Sequence, residues 1–497
     1  MNLETIIGLE IHVQLKTKSK MFCGCANDGE SKPANTTICE VCLGHPGSLP
    51  VPNKLALEWA IKIALALSCK INNLQYFDRK NYYYPDLPKG YQISQFPKPI
   101  GESGYLFVKS NLEDKLKIGI ERVHIEEDAA KNIHDDSGVI LVDYNRGGTP
   151  LTEIVTCPDF RSPTDVKIFL QELRLIVRYL GVSDADMEKG HLRCDANISL
   201  RPKEDSKLYP KTELKNMNSF KAVERALEYE VMRQTKLWIA NTPPTVQATR
   251  GWNDAEQVTV EQRIKEESHD YRYFPEPDIP SLKFSTSDID IDRLKSGITE
   301  LPAAKRIRMR EEYGIKSADI NVLVEDIALA EYFERTASEV REWLASSGED
   351  VNEVQTQKLT KLVADWLLNK LGRLMVERKL AWVDINITPE NFAEFISLLT
   401  QGKINSKIGQ EVLLKMFETG SDPSDIVKEF SLEQVDSEDE ILEIIKSVFD
   451  NNPDNVAEYK SGKETLLKFF VGQVMKESRG TANPQLVEKI LKKELKK

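Results

Sequence analysis

The chain has 497 residues, of which 67 are basic and 79 acidic, and its formal net charge is −12. Its 40% hydrophobic and 29% charged residues exclude an intrinsically disordered protein and are typical of a folded one. A folded chain of this length is expected to form about three domains. No apolar stretch is long enough to cross a bilayer, the N-terminus lacks the features of a signal or transit peptide, and the acidic excess argues against non-specific nucleic-acid binding. We therefore expect a cytoplasmic protein.

The N-terminal half combines strand-like runs, turns and a few helices. Alternating apolar residues and β-branched side chains predict strands over residues 6–15 and 117–125. Helical periodicity predicts helices over residues 54–71, 163–180 and 222–240. Because these strands and helices do not alternate regularly, the sequence predicts an α+β fold.

A segment with three prolines in six residues, Pro275, Pro277 and Pro280, marks the end of this mixed region. Beyond about residue 295 the pattern becomes helical. The predicted helices there cover residues 303–313, 322–346, 355–377 and 389–399, followed by shorter ones.

A second interruption at residues 400–406 divides the helical region, so we predict three domains: residues 1–295, 296–405 and 406–497. Charge is unevenly distributed within the last of them. Nine basic and four acidic residues follow Gly462, whereas residues 431–461 hold two basic and nine acidic ones. The final helices therefore concentrate positive charge that could bind a polyanion.

All seven cysteines precede residue 195, and all six histidines precede residue 270. Four of the cysteines form the pattern Cys23-x-Cys25 and Cys39-x-x-Cys42, with 13 residues between the pairs. Four thiolates can surround Zn²⁺ tetrahedrally and leave no open position for a substrate, so this site would be structural. The alternative is four reduced free thiols, because one pair is more tightly spaced than the usual two-residue gap.

Two further segments carry metal-ligand residue types. Glu10 and His12 lie two residues apart in the first predicted strand and therefore share one face, where they could hold a divalent cation or exchange a proton. The segment from Arg122 to Asp128 adds His124 and three carboxylates. Scattered carboxylates suit Mg²⁺. Each segment taken alone is more typical of a solvated polar surface, and only the two together favour a site.

Residues 77–92 interleave aromatic and basic side chains in a loop rich in Pro and Gly. Such a loop can stack on bases and pair with phosphates, although an aromatic strand packed on the core is the alternative. Residues 193–201 and 213–218 alternate polar with apolar or small residues, which predicts two strands whose polar faces line a groove or simply face solvent.

Several catalytic motifs are absent from the sequence. There is no phosphate-binding G-x-x-x-x-G-K-[ST] loop, no G-x-S-x-G nucleophile elbow and no Gly/Ser-rich stretch suited to a serine amidase. Cys157 has no histidine nearby in sequence and is interpreted as a small packed residue.

Taken together, the motifs resemble the GatB family, which forms the B subunit of the aspartyl/glutamyl-tRNA amidotransferases, and the resemblance spans nearly the whole chain. The matching stretches are Gly8-Leu9-Glu10-Ile11-His12-Val13-Gln14-Leu15, Cys42-Leu43-Gly44-His45-Pro46-Gly47, Arg79-Lys80-Asn81-Tyr82, Tyr84-Pro85-Asp86-Leu87-Pro88-Lys89-Gly90-Tyr91-Gln92-Ile93-Ser94-Gln95, His124-Ile125-Glu126-Glu127-Asp128, Arg193-Cys194-Asp195-Ala196-Asn197 and Asp270-Tyr271-Arg272-Tyr273-Phe274-Pro275-Glu276-Pro277. In the tail, Gly472-Gln473-Val474-Met475 and Ala482-Asn483-Pro484-Gln485 also match.

The resemblance implies an α+β cradle domain, an all-α helical domain and a small all-α tail that binds tRNA. It also implies a ligase reaction. ATP and Mg²⁺ serve to phosphorylate the side-chain carboxylate of Glu on tRNA(Gln) or Asp on tRNA(Asn), and ammonia then displaces the phosphate. The ammonia comes from glutamine hydrolysis in a partner amidase, and a small third protein completes the heterotrimer. The missing amidase nucleophile agrees with this division of labour.

By the same resemblance, Glu10, His12 and Glu127 are assigned to Mg²⁺, with Glu126 as a neighbour. Further roles follow for other residues. Lys80 neutralises phosphate charge, and Asp195 and Glu213 are the carboxylates of the reacting site. The residues expected to contact the nucleotide or the acceptor end are Lys80, Tyr82, Lys89 and Tyr91, with Tyr84 a further aromatic candidate. The zinc knuckle of some members is matched by Cys23, Cys25, Cys39 and Cys42.

The sequence departs from the family pattern at two positions. Ala130 stands where the family has glycine, which removes no ligand, and Cys157 stands where a glutamate is common and receives no role. Two other functions remain open at this point: a tRNA-binding scaffold whose chemistry belongs to a partner, and a zinc-stabilised RNA-binding protein. The second leaves the carboxylate and histidine segments without a purpose.

Overall fold

The computed structural model describes residues 2–109, 115–134, 138–265, 271–346, 353–430, 437–478 and 481–495. Over these residues the chain forms two compact units, Met1–Pro302 and Ala303–Lys497. No helix in the described ranges combines the length and apolarity needed to span a membrane. Strands and the first helices belong to the first unit and a helical region follows, which confirms the α+β prediction. The three-domain division stays a prediction.

The strands of the first unit are short except for the three that cross the middle of its main sheet. They are β1 (Leu3–Gln14), β2 (Lys70–Ile71), β3 (Leu74–Gln75), β4 (Asp78–Asn81), β5 (Tyr91–Ser94), β6 (Gly101–Val108), β7 (Leu116–Glu127), β8 (Lys131–His134), β9 (Ile140–Asp143), β10 (Pro150–Thr156), β11 (Leu192–Pro202), β12 (Thr212–Lys215), β13 (Gln247–Asn253), β14 (Val258–Lys265), β15 (Phe274–Pro275) and β16 (Leu282–Lys283).

Among the described residues, nine strands form the main sheet, in the order β14-β13-β12-β11-β1-β10-β7-β6-β2. Neighbouring strands are antiparallel except β12 and β13, which are parallel. Smaller sheets pair β15-β4-β5, β16-β3 and β8-β9. Consequently, β1 lies between β10 and β11, two strands that follow it by more than a hundred residues in the chain.

The helices of the first unit are α1 (Lys54–Ala66), α2 (Pro163–Tyr179), α3 (Phe220–Ile239) and α4 (Ile291–Ser296). In β1, the alternate residues Ile7, Leu9, Ile11 and Val13 are at most 1% exposed and belong to one apolar core with residues of α1, α2 and α3. Successive strand residues point to opposite faces, so Gly8, Glu10 and His12 lie on the face away from this core. Helices thus cover one face, and polar residues line the other.

The predicted helix over residues 54–71 is too long. It ends at Ala66, Ser68 adopts a positive φ of 56°, and Lys70–Ile71 pairs as strand β2 with β6. A left-handed residue cannot continue an α-helix, and the freed residues gain sheet hydrogen bonds instead.

The helices of the second unit fall in most of the predicted positions. They are α5 (Pro302–Tyr313), α6 (Ser317–Glu325), α7 (Ile327–Ser346), α8 (Glu353–Trp366), α9 (Gly372–Glu377), α10 (Pro389–Thr400), α11 (Ser406–Thr419), α12 (Pro423–Glu429), α13 (Glu438–Asp450), α14 (Pro453–Lys460), α15 (Leu466–Glu477) and α16 (Pro484–Glu494). Five π-helical residues, Leu367–Leu371, join α8 to α9.

The predicted single helix over residues 322–346 is also wrong, because Asp326 leaves helical geometry (φ −124°, ψ 122°) and separates α6 from α7. Helices α13, α15 and α16 share an apolar core of their own, in which Ile441, Phe470 and Leu491 are fully buried. That core lies in the region predicted to be the tail domain.

Candidate active site and cysteine cluster

Three adjacent strands bring two histidines and three carboxylates together on the open face of the main sheet. In the sheet register, His12 of β1 lies opposite Glu153 of β10, and Glu153 lies opposite His124 of β7. The remaining members are Glu10 and Glu126, each two residues along its strand from one of the histidines. We call Glu10, His12, His124, Glu126 and Glu153 the carboxylate–histidine cluster.

The distances within this cluster are short and centre on the two imidazoles. His12 Nε2 lies 3.4 Å from Glu153 Oε2, 3.5 Å from Glu126 Oε1 and 4.0 Å from Glu10 Oε1. The Nε2 atom of His124 lies 3.3 Å from Glu153 Oε2 and 3.8 Å from Glu126 Oε2. Glu126, Glu153 and His124 are buried, whereas Glu10 and His12 are partly exposed. The cluster therefore has a closed inner side and an accessible outer side.

The carboxylates determine the protonation of the cluster. Burial alone would lower the pKa of His12, but Glu126 and Glu153 raise it to about 10; the same two residues raise the pKa of His124 to about 9. Conversely, the imidazoles hold the pKa values of Glu126 and Glu153 well below their ordinary range against the effect of burial. Burial and the charge of Glu153 raise the pKa of Glu10. Without a bound cation, two imidazolium groups offset most of the carboxylate charge.

This donor set fits a divalent cation. One donor atom from each of Glu10, His12 and Glu153 lies within 4.8 Å of the others, and the same holds for His124, Glu126 and Glu153. Carboxylate oxygens suit Mg²⁺, and imidazole nitrogens add affinity for transition metals. A cation binding here would displace the protons of the imidazoles, since a ligating histidine must be neutral.

Glu153 was absent from the sequence-based set of site residues. Its only local signal is that it is the one charged residue in an otherwise apolar and β-branched strand, Pro150–Thr156. An isolated carboxylate in a buried strand requires a partner, which is a reason to suspect a site. The sequence does not reveal that His12 and His124 flank this strand.

Glu127 lies apart from the cluster, on the opposite face of β7. Its carboxylate accepts hydrogen bonds from the Lys89 ammonium and, at 3.0 Å, from the Ile93 amide. It lines a cavity of about 200 Å³ together with Lys89, Tyr91, His45 and two of the four patterned cysteines. The structure therefore brings Glu10 and His12 together but places Glu127, Lys89 and Tyr91 in a neighbouring pocket.

Cationic side chains surround the cluster. The Lys80 ammonium lies 5.1 Å from the Tyr271 ring, and the carboxylates of Glu126 and Glu153 raise its pKa although burial opposes them. Arg193, opposite His12 in the sheet, forms an ion pair with Asp128, whose Oδ2 lies 2.8 Å from the Arg193 Nη2. Positive charge beside a candidate cation site suits phosphoryl transfer, which needs the charge of the phosphates neutralised.

The two other predicted carboxylates continue the polar row along the sheet. Asp195 lies opposite Glu10, and Glu213 lies opposite Asn197. Lys215 forms an ion pair with Asp195, and its Nζ lies 3.4 Å from Glu213 Oε1. Next to this row, a cavity of about 930 Å³ extends from Glu10 past Asn197 and could admit a substrate.

The predicted tyrosines are distributed around these pockets. The ring of Tyr82 lies 6.1 Å from that of Tyr271, and burial raises the pKa of Tyr82. Tyr91 lies under the Arg79 guanidinium at 4.3 Å. Tyr84 is 56% exposed and available for an external contact.

The four patterned cysteines form a second candidate metal centre. The sulfur atoms of Cys23, Cys25, Cys39 and Cys42 all lie within 4.8 Å of one another. The fully buried Lys20 places its Nζ 4.0 Å from Cys42 Sγ, and hydrogen bonding from Cys23 together with this cation lowers the pKa of Cys42 to about 5. Four sulfur donors with a compensating cation fit a tetrahedral metal such as Zn²⁺.

Comparison with known proteins agrees with this geometry. A family model described as the GatB/GatE catalytic domain matches residues 5–290, more than half of the chain, and one described as the GatB domain matches residues 349–495. The chain belongs to the GatB family. The first match contains every residue of both candidate metal centres.

Full-length relatives support the same assignment. The chain is 46% identical to the B subunit of the aspartyl/glutamyl-tRNA(Asn/Gln) amidotransferase of Persephonella marina over 100% of both chains. It is 46% identical to that of Thermotoga maritima over 99% of both, and 44% identical to that of Brevibacillus brevis over 99% of this chain and 98% of the relative. This family supplies the B subunit of the tRNA-dependent amidotransferase, an ATP-using, glutamine-hydrolysing ligase of protein biosynthesis.

Proposed function

We propose that this chain activates the side-chain carboxylate of Glu on tRNA(Gln), of Asp on tRNA(Asn), or of both. In the first step a carboxylate oxygen attacks the γ-phosphorus of ATP, and ADP leaves. In the second, ammonia attacks the acyl phosphate carbon and inorganic phosphate leaves, which yields the amide. The observation that carries the proposal is the carboxylate–histidine cluster with Lys80 beside it, inside the region that matches the GatB catalytic domain.

We assign Mg²⁺ to the carboxylate–histidine cluster, with Glu10, His12, Glu126 and Glu153 as the residues that would hold it. When bound, Mg²⁺ would neutralise charge on the phosphates. For Glu127, which the family resemblance also assigns to the metal, the ion pair with Lys89 supports a role in the adjoining pocket.

Other residues would act directly on the substrates. Lys80, whose charged form Glu126 and Glu153 stabilise, would bind phosphate oxygens, and Lys89, Tyr82 and Tyr91 would contact the nucleotide or the acceptor end. An amine that has attacked a carbonyl carbon must lose a proton. Asp195, opposite Glu10, or Glu213, which contacts the same Lys215, would accept that proton.

The cysteine cluster would bind structural Zn²⁺. The loop that carries the cysteines is held by Asn145, which lies outside it. The Asn145 side chain accepts hydrogen bonds from the Thr36 and Thr37 amides, each at 2.8 Å, and donates one to the Pro33 carbonyl at 2.7 Å. Because four protein ligands complete a tetrahedron, this metal would stabilise the loop and take no part in the chemistry.

The chain would work in the cytoplasm as one part of a heterotrimer with a glutamine-hydrolysing amidase and a small third protein. The amidase would supply ammonia, since the sequence has no serine amidase motif. In the proposed division, residues 1–295 form the catalytic cradle, 296–405 a helical domain and 406–497 a tail whose basic final helices bind tRNA. Phosphate contacts make such binding weaken as salt rises, and a flat salt response would contradict this role.

The test uses the chain co-purified with its candidate partner proteins. Glu-tRNA(Gln) is incubated with ATP, Mg²⁺ and glutamine, the tRNA is digested, and the esterified amino acid is identified. We expect Gln, none without ATP, and none with Glu10→Ala, whereas Glu228→Gln on the exposed side of α3 should behave as the wild type. A parallel assay supplies Asp-tRNA(Asn). If tRNA binding is intact while both Glu on tRNA(Gln) and Asp on tRNA(Asn) stay unconverted, only a scaffold role would remain.

A further inference from the structure

A row of four aromatic rings borders the carboxylate–histidine cluster. Ring centroids are 6.1 Å apart for Tyr82 and Tyr271, 6.2 Å for Tyr271 and Tyr273, and 4.5 Å for Tyr273 and Phe96. The last pair is stacked, with an angle of 13° between the ring planes. Phe96 nevertheless remains 47% exposed. The exposed ring of Phe96, at the end of this row and beside the candidate site, is therefore available to a flat ligand.

The segment that carries Tyr271 and Tyr273 is firmly attached to β4. Asn81 Nδ2 donates to the Arg272 carbonyl at 2.8 Å, and Phe274 pairs with Arg79 in the sheet. Arg79 also forms two hydrogen bonds, of 2.6 and 2.8 Å, with the buried carboxylate of Glu276. The segment with Tyr273 is therefore held in place before any ligand arrives, which reduces the entropy lost on binding.

Arg122 connects this stacked pair to the cluster. Its guanidinium carbon lies 5.5 Å from the Phe96 ring centroid, and its Nη2 lies 3.9 Å from Glu153 Oε1. Its buried Nε has no hydrogen-bond partner among the described residues. The stacked rings, a guanidinium and the candidate cation site thus follow one another, an arrangement that suits the base of a nucleotide and phosphates that carry a bound cation.

We propose that an adenine ring stacks on the exposed side of Phe96, which Tyr273 supports from its other side, while Arg122 and Lys80 face the attached phosphates. This inference rests on the proposed function, whose substrates carry adenine in two places: the base of ATP and the terminal adenosine of the tRNA acceptor end. Aromatic side chains bind a base by stacking in either case. Neither residue belongs to the set of site residues inferred from the sequence.

The test measures binding by the purified complex, so that it does not depend on turnover. For Phe96→Ala, we expect a roughly 5- to 100-fold rise in the Kd of ADP, in that of the tRNA, or in both, as expected for the loss of one stacked base. Phe96→Trp should retain the wild-type affinity. Phe107→Ala is the matched control, because Phe107 is 38% exposed and contacts Tyr105 and Lys115 away from the cluster.

Two arms distinguish the sources of adenine. If only the Kd of ADP rises in Phe96→Ala, the adenine bound at Phe96 is that of ATP. If the Kd of intact tRNA rises in Phe96→Ala, but that of tRNA lacking its terminal adenosine is the same in variant and wild type, the adenine is that of the acceptor end. Unchanged affinity for both ligands in Phe96→Ala would overturn the inference even if the wild-type complex forms Gln-tRNA. Absence of Gln-tRNA from the wild type would contradict the proposed function, while the ADP titration would still decide the role of Phe96.

Discussion

The two candidate metal centres are built in opposite ways. The four cysteines come from one stretch of the chain, Cys23 to Cys42, and their donor atoms meet within a single loop region. The carboxylate–histidine cluster takes its residues from β1, β7 and β10, so that His12 and Glu153 are neighbours in space but 141 positions apart in sequence. One centre depends on local chain geometry, and the other depends on the register of a sheet.

This difference predicts different consequences of damage. Loss of a cysteine should loosen a polar loop and leave the sheet intact. Loss of a cluster residue should leave the fold almost unchanged, because helices and apolar strand residues on the other face stabilise the sheet. The following predictions test this separation between stability and chemistry.

The largest effect is expected for Glu153→Gln. The substitution removes the carboxylate that contacts both His12 and His124, so the cluster would lose much of its affinity for a cation. We expect formation of Gln-tRNA to fall by at least about 100-fold, with little change in thermal unfolding. Single-turnover assays across a Mg²⁺ titration would measure the fall, and the Mg²⁺ concentration for half-maximal rate should rise in the variant. Activity near that of the Glu228→Gln control would contradict a role for Glu153.

The complementary experiment is Cys39→Ser. Losing one of four sulfur ligands should release the metal and lower the free energy of unfolding by a few kcal/mol, because metal binding contributes to folding. Zinc content by mass spectrometry and the Tm would be measured on the same sample. Activity per folded molecule should fall much less than in Glu153→Gln. Equal zinc content in variant and wild type would indicate that the four cysteines do not hold the metal.

A third prediction concerns the support of the cysteine loop. Asn145→Ala removes the acceptor of the Thr36 and Thr37 amides and the donor to Pro33. Asn145 is only 2% exposed, so two amides would lose their protein partner, at a cost of about 1–3 kcal/mol. Urea unfolding would measure this loss, and competition with a chelator should show weaker zinc binding. Asn72→Ala, which loses a single bond to the Pro99 carbonyl, serves as the comparison.

The smallest effect is expected for Glu4→Gln, on the same face of β1 as Glu10. The pKa of Glu4 is lowered mainly by Arg201, whose Nη2 lies 2.6 Å from Glu4 Oε2. Arg161 contributes as well, with its Nε 3.2 Å from Glu4 Oε1. The pKa of Glu4 is therefore lower in the folded than in the unfolded state. The ionised carboxylate stabilises the fold fully at pH values above the unfolded-state pKa. This stabilisation is lost as the pH falls through the folded-state pKa.

Since the pair is only partly buried, we expect a difference of about 1 kcal/mol or less between Glu4→Gln and wild type at pH 7. Urea unfolding of both proteins at pH 7 and pH 3 would measure it. The difference should shrink at pH 3, and a difference that grows there would reverse the sign assigned to this ion pair.

Sequence reasoning succeeded where the relevant interactions are local. The period of two in β1 predicts that Glu10 and His12 share a face, and the structure places them 4.0 Å apart. The helix boundary at Ala66 was missed because Ser68 adopts left-handed geometry in order to let Lys70–Ile71 pair with β6. That pairing partner lies about 30 residues away, beyond the reach of helical periodicity.

The sequence by itself determined the residue types, the cysteine spacing, the alternation of β1 and the motifs that identify the family. Tertiary structure alone decided that Glu153 joins His12 and His124, and that Glu127 turns away to Lys89 although it directly follows Glu126. The physical reason is that a strand determines which face each side chain occupies, whereas only pairing between distant strands determines what it meets there.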